Sequence, residues 1–132
     1  MNSKLISNLF IASAMVNIGG VLLFSKCFTN PVIPQTDPVV MSNFGLLMIM
    51  VWGLAYLSVA KSYEKVPLLT AVFSVEKLAY VVAWVYWHAN NELAAVFEQD
   101  LFAGIFYTIY GLNDLFYMCF FAWVFIKTRN IN

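Results

Sequence analysis

Charged residues are scarce in this sequence of 132 residues. Lysine, arginine, aspartate and glutamate together make up 11% of the chain, and seven basic residues balance seven acidic ones. Such a sparse and balanced charge excludes the basic surface by which proteins bind nucleic acid. The two cysteines and one histidine provide no Cys/His cluster for a zinc site or a pair of haem ligands. The sequence therefore predicts no nucleic-acid partner, no metal and no cofactor.

Apolar residues dominate the chain instead. They make up 62% of it, with a mean hydropathy of +0.78, far above the average of soluble domains. Four apolar segments, at about 4–28, 38–62, 66–89 and 100–127, each approach the ~20 residues that a helix needs to cross ~30 Å of hydrocarbon. Because none alternates apolar and polar residues as a membrane strand does, the sequence predicts a single all-α domain. We expect a four-helix integral membrane bundle with the lipid bilayer as its main partner.

The connections and the lysines indicate how such a bundle would be oriented. Asp37 and Pro38 are expected to cap and open the second helix after an extended loop, and residues 91–99 to form a short interfacial helix. Lysine and arginine favour the cytoplasmic side of a membrane. One side would carry Lys4, Lys61, Lys65, Lys127 and Arg129, and the other only Lys26. Both termini are therefore predicted to be cytoplasmic (N-in/C-in), in a cell membrane.

Several polar residues interrupt the apolar segments at similar depths. At ~1.5 Å per residue, those of the first, third and fourth segments lie ~15–20 Å from the cytoplasmic ends. Polar groups at this depth are expected to face the bundle interior and to find partners, and ionisable ones often mark a functional site. The candidate ligand-binding or proton site consists of Asn17, Glu76, Lys77, Tyr80, Asn113 and Asp114.

The adjacent charges of the third segment cannot share one partner. Glu76 and Lys77 are ~100° apart around a helix, so we expect Lys77 to pair with Asp114. Glu76 is left to bond Tyr80 one turn along, to bond Asn17 across the interface, or to keep its proton, since an apolar surrounding disfavours the charged form. The alternative is that all these groups serve only to hold the helices together.

Small and aromatic residues suggest where helices pack and where a ligand could lie. Gly104, Thr108 and Gly111 form a narrow face on the fourth segment, which predicts the close approach of a neighbouring helix. The aromatic residues of the third segment could line a pocket for a flat hydrophobic ligand, such as a quinone or a sterol-like molecule, or face lipid as an interfacial belt. They are Tyr80, Trp84, Tyr86 and Trp87.

The order of these parts resembles that of a known group. A helix, a long outer loop, two helices joined by a short turn and a final helix resemble the DoxX-like group of small four-helix bacterial membrane proteins. The local match is Val75-Glu76-Lys77-Leu78, where some members carry a glutamate in their third helix. The resemblance implies an accessory protein of the bacterial inner membrane and no particular reaction.

Three functional hypotheses follow. The first is a non-enzymatic binding or accessory subunit whose polar cluster binds a small hydrophobic molecule or supports a partner membrane protein. The alternative is a proton- or ion-coupled transporter or channel that acts as a homo-oligomer, with Glu76 and Asp114 titrating and Lys77 as their counter-charge. The third is an enzyme acting on lipid or quinone, which needs a nucleophile and a base held together. Because the chain offers carboxylates and one distant histidine, His88, no catalytic residue is predicted.

Overall fold

The computed structural model describes residues 2–130, and the prediction of an all-helical chain is confirmed. Six α-helices and one 3₁₀ turn, Tyr63–Lys65, make up the secondary structure of residues 2–130, which contain no strand. The helices are α1 (Ser3–Phe24), α2 (Val32–Thr36), α3 (Asn43–Val59), α4 (Pro67–Asn90), α5 (Leu93–Gln99) and α6 (Leu101–Thr128).

Three of these helices are long and apolar enough to cross a membrane. They are α1, α4 and α6, with 22, 24 and 28 residues. Helix α3 is equally apolar but has only 17 residues, or ~26 Å at 1.5 Å per residue. It is therefore slightly shorter than the ~30 Å hydrocarbon core of a typical bilayer.

The predicted start of the second helix is wrong. The helix begins at Asn43 instead of Pro38, and the Ser42 hydroxyl caps it by accepting the Gly45 N–H at 3.0 Å. Asp37 accepts the N–H of Val40 at 3.1 Å and so closes a turn before the helix. The loop that was expected to be extended also contains the short helix α2.

The first helix ends at Phe24, four residues earlier than predicted, because the chain turns sharply after it. Residues 26–28 have φ angles of 51°, 56° and 66°, a left-handed conformation that costs a non-glycine residue about 1–2 kcal/mol. The Ser25 hydroxyl holds this turn by accepting the Phe28 N–H at 2.9 Å. As a result the Lys26 ammonium lies 3.1 Å from the Asp100 carboxylate at the start of α6.

The helices pack mainly as two pairs, α4 against α6 and α1 against α3, and α1 also contacts α6. Two apolar cores lie along these pairs. One core contains Ala14, Phe73 and Tyr117, and the other contains Val21, Trp87 and Tyr110. Four buried polar residues fall between these positions along their helices and form a polar layer that separates the two cores: Asn17 of α1, Glu76 and Lys77 of α4, and Asp114 of α6.

Candidate functional site

Lys77 is at the centre of the polar layer. It is 1% exposed, and its ammonium donates to Asp114 Oδ1 at 2.9 Å and to Asn17 Oδ1 at 3.1 Å. The ion pair with Asp114 that the sequence predicted is therefore present. Through these bonds Lys77 connects α4 to both α1 and α6.

Glu76 points to a different neighbour, as adjacent residues on a helix must. The Tyr56 hydroxyl of α3 donates a hydrogen bond to Glu76 Oε2. The two partners that the sequence suggested for Glu76, Tyr80 and Asn17, are wrong, because Tyr56 forms this bond. The third alternative, a retained proton, stays a prediction. Sequence reasoning missed Tyr56, although a hydroxyl inside an apolar segment generally needs an acceptor.

Two further amides complete the cluster. The Asn17 side chain donates to the Ile49 carbonyl of α3 at 2.9 Å, and Asn113 donates to Asp114 Oδ1 at 3.2 Å. Gly53 of α3 permits the approach of α1, because a Cβ atom there would lie 2.9 Å from Asn17 Cβ. The cluster thus joins α1, α3, α4 and α6 by side-chain hydrogen bonds at a single level.

Two buried side-chain oxygen atoms, one in the polar layer and one in the adjoining apolar core, have no hydrogen-bond partner within residues 2–130. They are Glu76 Oε1 and Tyr110 Oη, and both residues are 8% exposed. A buried polar atom without a partner costs free energy, about 1–3 kcal/mol. Such atoms indicate where a water molecule or a ligand group would be stabilised.

Glu76 lies in a wide apolar groove between α3 and α4. The groove has a volume of about 560 Å³, within the ~300–1,000 Å³ range of small-molecule pockets. Two alanines of α4, Ala79 and Ala83, line the groove and leave this space open, since larger side chains would fill it. The groove is lined by Val39, Val40, Ser42, Phe44, Gly45, Met48, Trp52, Val75, Glu76, Ala79, Tyr80 and Ala83.

A separate and much smaller cavity lies between α1 and α6. Its volume is about 60 Å³, and its polar end is formed by Asn17, Tyr110, Asn113 and Asp114. No residue lines both the cavity and the groove. The two acidic residues of the predicted site therefore line different spaces, and Lys77 lines neither of them.

The other aromatic residues of α4 do not share the groove with Tyr80. Trp84 lies against Gly111 and donates to the Tyr107 carbonyl at 2.7 Å, while Trp87 stacks on Tyr107 with ring centroids 4.8 Å apart. On the narrow face of α6, Gly111 thus meets Trp84 of α4 and Gly104 meets Phe97 of α5, so neighbouring helices approach closely, as the sequence predicted. His88 also contacts the Tyr107 carbonyl, at 2.9 Å. These residues consequently serve the packing of α4 on α6.

A second polar group joins the left-handed turn to α6, outside the apolar helices. Asp100 accepts hydrogen bonds from the Ala103 N–H at 2.8 Å, the Asn30 amide at 2.8 Å and Lys26 at 3.1 Å. Desolvation acts to raise the pKa of Asp100, but these three bonds outweigh it and hold the pKa below its ordinary value. Asp100 is therefore stabilised as a carboxylate at the helix N-terminus.

Comparison with known proteins gives no relative from which a role for these residues could be transferred. No family model, no curated protein and no solved structure matches the chain significantly. Within residues 2–130 no three His, Cys, Asp or Glu side chains are grouped as a metal site. The role of the polar layer must therefore be argued from its own chemistry.

Proposed function

We propose that the chain is a four-helix membrane protein with both ends on the cytoplasmic side. The three long apolar helices and the placement of polar groups inside the helix packing support insertion, since intramembrane polar groups face the protein interior. Lys4 and Lys61 line one depression together, and Lys26 lies at the other end of α1. This distribution of lysines agrees with the positive-inside rule. Helix α3 would span by a slight local thinning of the bilayer.

Its proposed role is the binding of a small amphiphilic molecule in the groove between α3 and α4. The observation that carries this proposal is the buried and unpartnered Oε1 atom of Glu76, on a residue that lines a mainly apolar groove. A ligand with a hydrogen-bond donor at one end would satisfy this oxygen, and its apolar part would contact Phe44 and Trp52. Pockets of this kind, apolar with one or two fixed polar groups, are typical of small-molecule sites.

The same geometry explains why lipid tails alone are a poor occupant. An acyl chain would fill the apolar walls but would leave Glu76 Oε1 without a donor, at a cost of about 1–3 kcal/mol. The Tyr56 hydroxyl already holds Oε2 and thereby fixes the orientation of the carboxyl group. The site is consequently preorganised to prefer a molecule with a polar head over a hydrocarbon chain.

A second candidate function is proton- or ion-coupled transport by an oligomer. The specific observation in its favour is that Glu76 and Asp114 line separate spaces, with Lys77 buried and lining neither. In alternating access a central site is reached from each side of the membrane in turn, and the layer of Glu76, Lys77 and Asp114 would be that site. A binding protein and such a transporter share the groove, and only the transporter moves ligand or protons across vesicles. The DoxX-like resemblance, with its implied accessory role in a bacterial membrane, remains a prediction.

The experiment that tests ligand binding uses purified protein in nanodiscs of zwitterionic lipid. Thermal unfolding is followed against a panel of long-chain alcohols, long-chain amines, quinones and sterols, because a ligand that prefers the folded state raises Tm. Ala79→Leu should fill the groove and abolish the shift. Ala89→Leu is the matched control, since Ala89 lies on α4 outside the groove and is exposed.

We expect at least one amphiphile to raise Tm by several degrees in the unmodified protein and in Ala89→Leu, but not in Ala79→Leu. A panel without any effect would refute the binding role. A shift of equal size in both alanine variants would locate the ligand elsewhere. Loading proteoliposomes with the identified ligand then separates a binding protein from a transporter.

A further inference from the structure

The charge balance of the polar layer restricts the ligand further. When ionised, Glu76 and Asp114 carry two negative charges, and Lys77 carries one positive charge. The Lys77 ammonium is engaged with Asp114 and Asn17 at 2.9 and 3.1 Å, on the side away from the groove. Among residues 2–130, Glu76 therefore forms no salt bridge, and its only hydrogen-bond donor is the neutral hydroxyl of Tyr56.

The residues that line the groove also favour a positively charged ligand. No lysine, arginine or histidine is among the described residues that line it, and Glu76 is its single carboxyl group. Three aromatic side chains, Phe44, Trp52 and Tyr80, lie on its walls. The faces of aromatic rings attract cations, most strongly when water is excluded. An acidic residue in a groove with aromatic walls and no basic residue is suited to a positively charged head group.

We propose that the ligand of this groove is a monocationic amphiphile, a long-chain primary amine in its ammonium form, whose head group donates to Glu76 and pairs with its charge. The inference depends on the proposed binding function and specifies its ligand class. The cation neutralises the excess negative charge of the layer, and its alkyl part lies between α3 and α4. A buried charge is tolerated when it is paired, so ligand and carboxyl group stabilise each other. A neutral amphiphile supplies a hydrogen bond but leaves the excess charge.

The test compares two ligands that share the same chain and a hydrogen-bond donor on the head group but differ in charge, dodecylammonium and 1-dodecanol. Binding is measured by titration calorimetry with protein in zwitterionic nanodiscs, and the heat of partition into empty nanodiscs is subtracted. We expect the protein to bind the cation at least about tenfold more tightly than the alcohol, because only the cation forms an ion pair with Glu76. Glu76→Gln should reduce this preference to less than about twofold. Glu92→Gln, the same change at an exposed residue, should retain it.

A second variant keeps the inference testable if Glu76→Gln does not fold. Trp52→Leu removes one aromatic wall and should weaken binding of the cation by about threefold to tenfold, with a smaller effect on the alcohol. Equal affinity for both ligands would overturn the cationic class and leave the binding function standing. Retained cation preference in Glu76→Gln would overturn the role of that carboxyl group. Failure of both ligands and of the wider panel would overturn the binding function itself.

Discussion

Lys77 and Asp114 form an ion pair of 2.9 Å whose side chains are 2% and 10% exposed. The pair connects the two longest helices, α4 and α6, which also form the most extensive helix contact. Since little water reaches either charge, each depends on the other for its stabilisation. The pair is therefore expected to dominate the response of the polar layer to substitution.

Asp114→Asn should be strongly destabilising, because it leaves the Lys77 ammonium buried without a counter-charge. The expected loss is about 3–5 kcal/mol in the free energy of unfolding, measured by titration with denaturing detergent in mixed micelles. The double variant with Lys77→Met and Asp114→Leu removes both charges and should recover most of the loss. A loss below about 0.5 kcal/mol in Asp114→Asn would contradict the structural importance of the pair.

Two tyrosine-to-phenylalanine changes should have opposite consequences. Tyr56→Phe removes the donor to buried Glu76 and should cost about 1–3 kcal/mol. The Tyr110 hydroxyl has no partner within residues 2–130, so Tyr110→Phe should leave the free energy of unfolding unchanged or raise it. The same detergent titration measures both variants. Losses of similar size would show that Tyr110 has a partner that the structure does not contain, such as an internal water molecule.

Gly111→Ala should weaken the contact between α4 and α6. A Cβ atom at this position would overlap the Trp84 ring, so Trp84 must move, and overpacking of this kind costs about 1–3 kcal/mol. At Gly19 no neighbouring atom lies within 4 Å of the added Cβ. Gly19→Ala is thus the matched control and should stabilise its helix by about 0.5–1 kcal/mol. Equal effects of the two changes on Tm would argue against the close contact at Gly111.

Asp100 should make stability depend on pH at the acidic end. Because the pKa of Asp100 is lower in the folded protein, its contribution is present above the unfolded pKa and is lost as pH falls through the folded one. Asp100→Asn should therefore reduce stability at pH 7 by about 0.3–1 kcal/mol, and the difference from the unmodified protein should disappear on acidification. Thermal unfolding between pH 7 and pH 3 measures this. Glu98→Gln, at an exposed neighbour, should show no such convergence.

The extent of the sequence prediction is clearest for the residues of α4. The apolar segment at 66–89 corresponds closely to Pro67–Asn90, because a long apolar run with a proline at its start leaves little choice of structure. The pairing of Lys77 with Asp114 also followed from the sequence, since a buried lysine needs a carboxylate and the chain has few at that depth. The partner of Glu76 could not be predicted in this way, because Tyr56 is one of seven tyrosines and any of several could have faced it.

Loops and cavities depended on contacts that no local pattern contains. The left-handed turn at residues 26–28 is made of non-glycine residues and is held by Ser25 and by the reach of Lys26 to Asp100, 74 positions away. A proline after an aspartate suggested a helix start at residue 38, yet Asp37 closes a turn and Ser42 caps the helix. At both places the local sequence allows more than one backbone conformation, and contacts with distant residues determine which one forms.

The sequence by itself determined the all-helical class, the apolar segments and the polar residues that interrupt them. These features follow from the composition and hydrophobic pattern of each segment, without reference to its neighbours. Only the tertiary structure decided that Glu76 lines a groove, that Asp114 lines a separate cavity, and that Lys77 lines neither. These relationships depend on how far α3 is held from α4. That spacing is a property of side-chain volumes on several helices packed together, and no single segment contains it.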